Sequence, residues 1–178
     1  MRYVALLRGV NVGGSNKISM ADLRALLSSL GHEDVITYLQ SGNAIFTSAR
    51  QDPEALAAEI EDGIARELGL RITVLVRTPE ELAAVIAGNP FPGVEANPTQ
   101  LHVAFLTGPV EAERLAEIDA RRFEPDELRP GDRALYLHYP NGAGRTKLTL
   151  DVCERRLGVS GTARNWNTVT KLFELARQ

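Results

Sequence analysis

The chain has 178 residues, 44% of them hydrophobic and 24% charged, which is typical of an ordinary globular protein and excludes a disordered or fibrous one. No apolar run reaches the roughly eighteen residues that a membrane-spanning helix needs, and the single cysteine, Cys153, excludes a disulfide framework and a multi-cysteine metal site. The formal net charge of −3 is unevenly spread, because residues 51–128 hold 16 acidic and six basic side chains whereas residues 129–178 hold four acidic and nine basic ones.

The first half of the chain alternates between strand-like and helix-like patterns. Ser19 with Asp22 three residues later is a variant of the capping box that starts helices, and Asp52-Pro53 combines a cap with a proline in the first turn. The predicted elements are a strand at 3–8, a loop at 9–18, a helix from 19 to 31, strands at 35–40 and 44–48 joined at Ser41-Gly42, a helix from 52 to 69, a strand at 70–76 and a helix from 78 to 88.

Residues 89–99 are rich in proline and glycine and predict a linker. After them the same order of elements returns. The predicted elements are a strand at 101–106, a helix from about 110 to 122, strands near 124–128 and at 134–139, a Gly-rich loop, a helix from about 147 to 157, a short strand near 161–163 and a helix from 166 to 177.

Both halves therefore have the order β-α-β-β-α-β-α. This order predicts an α+β protein of two tandem ferredoxin-like units, each a split βαβ with an antiparallel sheet followed by an extra helix. The predicted units are residues 1–88 and 100–178, with 89–99 between them. Leu68-Gly69-Leu70 and Leu157-Gly158-Val159 end equivalent helices, which indicates a tandem duplication.

The topology of a split βαβ unit predicts two polar clusters. With the sheet order 4-1-3-2, the loop after strand one and the hairpin after strand two share one edge, as do the loop after strand three and the end of strand four. The first-half cluster is Arg8, Gly9, Asn11, Gly13, Gly14, Asn16, Lys17 and Asn43. The second-half cluster is Asn141, Gly142, Gly144, Arg145, Lys147, Arg164, Asn165 and Asn167.

Gly-rich loops that lead into helices can hold phosphate or carboxylate, because free backbone N–H groups and the positive end of the helix dipole face the anion. Both clusters fit that description and predict a small anionic ligand. Gly9 and Gly14 have the spacing of a P-loop, but Ser15-Asn16-Lys17 follows where that motif needs Lys and then Ser or Thr. The alternative is that the glycines serve tight turns and the asparagines bond backbone groups.

Arg164 is the most informative residue of the second cluster, because a cation beside a helix N-terminus opposes the dipole. We expect Arg164 to face a solvent-accessible pocket beside the loop 140–147, near Arg145 and Lys147. The alternative is that Arg164 pairs with a carboxylate from the other half. Trp166 is either a base-stacking residue or a core anchor, and Asn167 with Thr168 is either part of the site or a helix cap.

Catalytic and metal-binding motifs are missing from the sequence. His32, His102 and His138 have no metal-ligand spacing, and no Gly-x-Ser-x-Gly string marks a nucleophile elbow. We therefore predict no metal and no cofactor and assign no catalytic residue. The sequence leaves open whether the protein is an enzyme.

Three segments together resemble the family of the domain of unknown function 1697. They are Leu7-Arg8-Gly9-Val10-Asn11-Val12-Gly13-Gly14, Ser41-Gly42-Asn43 and Thr162-Ala163-Arg164-Asn165-Trp166-Asn167-Thr168. The similarity spans the whole chain. It implies that these segments are hallmarks of the family, without implying an activity, a cofactor or a catalytic residue.

Two other function classes stay as alternatives to small-anion binding. One is nucleic-acid binding, although the acidic net charge and the strand sequence Ala44-Ile45-Phe46-Thr47, which lacks the RNA-binding aromatic pattern, argue against it. The other is an enzyme that uses Arg, Lys and Asn for electrostatic stabilisation. We expect a cytoplasmic protein with no membrane segment, which binds a phosphate-bearing small molecule more tightly than nucleic acid.

Overall fold

The computed structural model describes residues 1–178. They form two compact units: Met1–Leu82 with Leu172–Gln178 make the first, and Ala83–Lys171 make the second. Each unit holds one four-stranded antiparallel sheet, and the chain has six α-helices. The predicted α+β class is confirmed.

The first unit has the element order β-α-β-β-α-β. Its elements are β1 (Arg2–Leu7), α1 (Met20–Ser29), β2 (Glu33–Thr37), β3 (Asn43–Thr47), α2 (Pro53–Leu68) and β4 (Val74–Arg77). The strands lie in the order β2-β3-β1-β4, and each neighbouring pair is antiparallel. Strands β1 and β2 therefore point the same way, so the segments that follow them meet at one edge of the sheet.

One face of the first sheet packs against both helices. Alternation along β1 directs Tyr3, Ala5 and Leu7 to this face, where all three are fully buried. The helices meet them with apolar side chains at helical spacing, namely Leu23, Leu27, Leu56, Ile60 and Ile64. Because burial of one such side chain stabilises the fold by about 1.5–3 kcal/mol, this core holds the sheet edge and its loops in place.

The second unit has the same strand order as the first. Its elements are α3 (Pro79–Ala87), which begins in the first unit, β5 (Leu101–Leu106), α4 (Ala112–Ala116), β6 (Glu127–Gly131), β7 (Ala134–His138), α5 (Leu150–Leu157), β8 (Gly161–Asn165) and α6 (Trp166–Ala176), which ends in the first unit. The strand order is β6-β7-β5-β8, again wholly antiparallel. The core under this sheet contains Ala104, Leu106, Leu135, Leu137, Leu148, Cys153 and Leu157.

The single helix predicted from 110 to 122 is wrong, because this segment forms two shorter helices. Helix α4 ends at Ala116, and a separate 3-10 helix spans Ala120–Phe123. Between them, the carboxylate of Asp119 accepts a hydrogen bond from the backbone N–H of Arg121 at 3.2 Å. Aspartate competes with the helical hydrogen-bond pattern in this way and starts a new turn.

Strand β6 begins and ends three residues later than its predicted range of 124–128 and contains Pro130. Proline is tolerated there because β6 is the edge strand, so its missing N–H faces away from the sheet. The turn consequently falls at Asp132-Arg133, where Arg133 has a φ of 48°.

The connection between β2 and β3 is longer than the predicted two residues at Ser41-Gly42. It spans 38–42, and the backbone N–H of Tyr38 donates to the carbonyl of Asn43 at 2.9 Å. Gly42 has a φ of 91°, and a Cβ built on it would lie 2.6 Å from Cγ2 of Val10 and 2.8 Å from Cβ of Leu7. Only glycine fits this close approach of the hairpin to the loop after β1.

In both units a glutamate side chain accepts a hydrogen bond from the first residue of the last strand. Glu61 of α2 accepts a hydrogen bond from the backbone N–H of Val74 at 2.8 Å, and Glu154 of α5 accepts one from Gly161 at 3.0 Å. Val74 and Gly161 are the first residues of β4 and β8. In each unit the second helix is thus hydrogen-bonded to the start of the strand that follows it.

Candidate functional site

The loop after β1 is held by the side chain of Asn11. Its Nδ2 donates to the carbonyls of Ile18 at 2.8 Å and Gln40 at 2.6 Å, and its Oδ1 accepts from the N–H of Ile18 at 3.0 Å. Asn11 itself has a φ of 58°, a conformation that asparagine tolerates better than most residues. The amide of Asn11 therefore ties the loop to the neighbouring hairpin.

Asn43 also bonds protein groups. Its side chain is fully buried, and Nδ2 donates to the carbonyl of Tyr38 at 2.7 Å and to the hydroxyl of Ser41 at 3.1 Å. These bonds close the connection between β2 and β3. The contacts match the alternative in which the asparagines of the first cluster serve the backbone.

Only part of the first cluster lines a common cleft. Asn11, Gly14 and Lys17 surround a cleft of about 340 Å³ together with Ile18, Ser19 and Gln40. Arg8, Gly9, Gly13 and Asn43 do not line it. The helix that follows is already capped, since the hydroxyl of Ser19 accepts from the N–H of Asp22 at 3.0 Å.

Arg164 is buried, whereas the sequence predicts a solvent-accessible position for it. The residue is 7% exposed, and its Nη1 donates to the hydroxyl of Thr162 at 2.6 Å and to the carbonyl of Ala163 at 2.9 Å. Burial lowers the pKa of Arg164 to about 10, which leaves the guanidinium charged at neutral pH. Alternation along β8 explains why Arg164 is buried. Ala163 packs on the core between the sheet and the helices, whereas Thr162 and Arg164 lie on the opposite face of the sheet.

Asn165 and Asn167 lie at the start of α6. The side-chain Oδ1 of Asn165 accepts from the N–H of Thr168 at 3.0 Å, so Asn165 caps the helix, and Asn167 does not. Asn167 is exposed, and Trp166 is buried at 7% exposure, as expected of a core anchor. None of the three lines a cleft together with Arg145 or Lys147.

Arg145 and Lys147 do lie in a cationic region of the second unit. A cleft of about 690 Å³ is lined by Arg122, Phe123, Lys147, Val152, Arg155 and Arg156. A second cleft of about 610 Å³ shares Arg122, Phe123 and Lys147 with the first and adds Glu124, Pro125, Asp126, Asn141, Gly142, Arg145 and Thr146. We call them the cationic cleft and the mixed cleft.

Most of the cations in these clefts have no acidic partner. Arg155 pairs with Asp151 at 3.3 Å, one helical turn away. Arg122, Arg145, Lys147 and Arg156 are exposed and form no ion pair. Three cations without an ion pair therefore line the cationic cleft, namely Arg122, Lys147 and Arg156, and Arg145 lines the adjoining mixed cleft.

Local hydrogen bonds set the position of the loop that carries Arg145 and Lys147. The hydroxyl of Thr146 donates to the carboxylate of Asp126 and accepts from the N–H of Leu148 at 3.0 Å. The hydroxyl of Tyr139 donates to the carbonyl of Leu148 at 2.8 Å. The C-terminal end of this loop is thus fixed to Asp126 and Tyr139.

Helix α5 supplies Arg155 and Arg156 from its last turn, where cations interact favourably with the helix dipole. Thr149 caps its other end, with its hydroxyl accepting from the N–H of Val152 at 3.2 Å. Sequence reasoning missed Arg122, Arg155 and Arg156 because cations on helices are typical of solvated surface. The topology could have indicated these residues. Both helices of a split βαβ unit cover the same face of the sheet, so cations near the ends of the two helices can lie close together.

The structure shows no metal site and no activated thiol. No group of three or more His, Cys, Asp and Glu side chains is arranged to hold a metal ion. Cys153 is fully buried, and burial, with a smaller effect of Glu154, raises the pKa of its thiol to about 11. None of the helices combines the length and apolar character required to cross a bilayer.

Comparison with known proteins gives a family without a described activity. No curated protein matches the chain. Among solved structures, a conserved bacterial protein from Streptococcus pneumoniae is similar, with a TM-score of 0.74, 26% sequence identity and coverage of 98% of each chain. The model of the family described as "Protein of unknown function (DUF1697)" matches residues 1–136. The chain belongs to the DUF1697 family.

Proposed function

We propose that the protein binds a small anionic ligand, phosphorylated or carboxylated, in the cationic cleft of the second unit. The observation that carries this proposal is the set of three cations without acidic partners that line this cleft, Arg122, Lys147 and Arg156, with a fourth, Arg145, in the adjoining mixed cleft. Like charges gathered at one site repel one another, and an anion among them removes that repulsion. Arginine also presents a rigid donor fork that suits phosphate and carboxylate oxygens.

This proposal keeps Arg145 and Lys147 from the second sequence cluster and replaces Arg164, Asn165 and Asn167 with Arg122, Arg155 and Arg156. The first cluster is a separate and weaker proposal. Its cleft has half the volume and a single cation, Lys17, and the amide of Asn11 already bonds three backbone groups.

We also infer that each unit is ferredoxin-like and that the chain arose by tandem duplication. The support is the strand order, which is 4-1-3-2 in both sheets, and the paired hydrogen bonds of Glu61 and Glu154 to their strands. The domain limits of 1–88 and 100–178 stay a prediction. A cytoplasmic location is part of the proposal, since a lone buried thiol suits a reducing compartment.

Titration calorimetry with inorganic pyrophosphate tests the binding proposal. We expect wild-type protein to bind, and Lys147→Gln and Arg122→Gln each to lower the affinity about ten-fold, equivalent to about 1.4 kcal/mol. Arg121→Gln is the matched control, because Arg121 is the neighbouring residue, has a side chain 86% exposed, pairs with Asp119 and lines neither cleft.

Absence of binding at low salt, or an equal loss of affinity in Arg121→Gln, would contradict the proposal. A single-stranded oligonucleotide provides a further arm of the same experiment. If it bound more tightly than pyrophosphate, with an affinity that fell steeply as salt was added, nucleic-acid binding would replace the small ligand as the function.

A further inference from the structure

The mixed cleft differs in chemistry from the cationic cleft that it adjoins. Both are lined by Arg122, Phe123 and Lys147. Beyond these, the cationic cleft adds Val152 and two arginines, whereas the mixed cleft adds one arginine, Arg145, and hydrogen-bond acceptors on Glu124, Asp126 and Asn141. A ligand that extends over both would therefore meet no carboxylate at one end and two carboxylates at the other.

The acceptors are not neutralised by the cations beside them. Glu124 is exposed and forms no ion pair, although Arg122, Arg145 and Lys147 line the same cleft. Asp126 accepts one hydrogen bond from the hydroxyl of Thr146 and forms no ion pair. Carboxylate oxygens accept hydrogen bonds and donate none, so Glu124 and Asp126 suit hydroxyl or amino groups of a ligand.

Phe123 contributes the apolar surface between the two clefts. Its side chain is half-buried and lines both of them. An aromatic face at this position can pack against the flat side of a sugar or a base. The two clefts, about 690 and 610 Å³, each fall in the range of about 300–1,000 Å³ that holds small ligands.

We propose that the ligand is a nucleoside phosphate, with its phosphates in the cationic cleft and its hydroxyl- and amino-bearing nucleoside in the mixed cleft against Phe123. This inference rests on the proposed function, since it takes anion binding by Arg122, Lys147 and Arg156 as given. It adds that Glu124 and Asn141 select the organic part of the ligand.

The test compares adenosine triphosphate with inorganic tripolyphosphate in magnesium-free buffer. The two probes have the same number of phosphates, and tripolyphosphate carries at least as much negative charge. A purely electrostatic site would therefore prefer tripolyphosphate. We expect the wild-type protein to bind adenosine triphosphate at least ten-fold more tightly.

Glu124→Ala identifies the origin of that preference. We expect it to reduce the preference about five-fold, the equivalent of one lost hydrogen bond of about 1 kcal/mol, and to leave tripolyphosphate binding unchanged or stronger. Asp132→Ala is the matched control, because Asp132 is exposed, forms no ion pair and lines neither cleft. Circular dichroism verifies that both variants fold.

If tripolyphosphate binds as tightly as adenosine triphosphate or more tightly, the nucleoside inference is wrong while anion binding stands. The nucleoside inference is also wrong if Asp132→Ala reduces the preference as much as Glu124→Ala does. If neither probe binds to the wild-type protein, the proposed function itself fails.

Discussion

Arg77 and Arg164 occupy corresponding positions in the two units. Each is the fourth residue of the last strand of its sheet, pairs with a valine of the central strand, and donates from Nη1 to the carbonyl of the residue before it. They are 6% and 7% exposed. A charged side chain buried at the same place in both sheets indicates a structural role that the two units share.

Arg164→Ala is accordingly expected to destabilise the protein. The substitution leaves a cavity and removes donors from the buried hydroxyl of Thr162 and the carbonyl of Ala163, at a cost of about 3 kcal/mol in the free energy of unfolding. Urea denaturation followed by circular dichroism measures this change.

Lys147→Ala is the reciprocal control for that experiment. Because Lys147 is exposed and lines the cationic cleft, its loss should leave the urea midpoint nearly unchanged and weaken pyrophosphate binding. If the Arg164→Ala protein were as stable as the wild type but unable to bind pyrophosphate, Arg164 would be a ligand-binding residue and not a structural one.

Gly42→Ala tests the close approach of the hairpin to the loop after β1. The added methyl group would overlap Val10 and Leu7 and would also strain a φ of 91°. Gly13→Ala imposes a similar backbone strain at a φ of 64° with no atom within 4 Å of the new methyl group. We expect Gly13→Ala to cost about 1 kcal/mol and Gly42→Ala about 1–3 kcal/mol more, measured as urea midpoints. Equal losses would show that the overlap is unimportant.

His32 couples the stability of the first unit to pH. It is 6% exposed and packs on Phe46 with ring centroids 4.7 Å apart. Burial lowers the pKa of His32 below its ordinary value of 6.5, and Glu59, with its carboxylate 3.4 Å from Nε2, opposes that shift only in part. The folded state therefore takes up this proton at lower pH than the unfolded state does.

The stability that His32 contributes is consequently present above pH 6.5 and lost as the pH falls from 6.5 through the pKa of the folded state. Urea midpoints at pH 7.5 and pH 5 should differ more in the wild type than in His32→Gln. A pH dependence that is equal or steeper in His32→Gln would contradict the direction of the shift.

The order of elements and the sheet order could be predicted from the sequence because local signals agree with them. Ser19 and Asp52 accept the hydrogen bonds expected of helix caps, and Gly69 and Gly158 end their helices in the left-handed conformation. The predicted ends of strands and helices were wrong where a tertiary contact determines the backbone conformation. The connection after β2 is one case, since its length depends on how Gly42 meets the loop after β1.

The candidate site could be predicted only in part. The topology correctly directs the loop 140–147 and the end of β8 to the same edge, since β7 and β8 are parallel to each other across β5. It does not say which face of the sheet a side chain occupies, and a shift of one residue along the strand reverses that face. The prediction for Arg164 was wrong for this reason.

Amide chemical shifts of the isotope-labelled 19.4 kDa protein, followed during titration with pyrophosphate, test the location of the anion site most directly. We expect shift changes concentrated at residues 122–126, 141–147 and 152–156, and small changes in the loop 9–18. Changes concentrated in the loop 9–18, with the second unit unaffected, would contradict it.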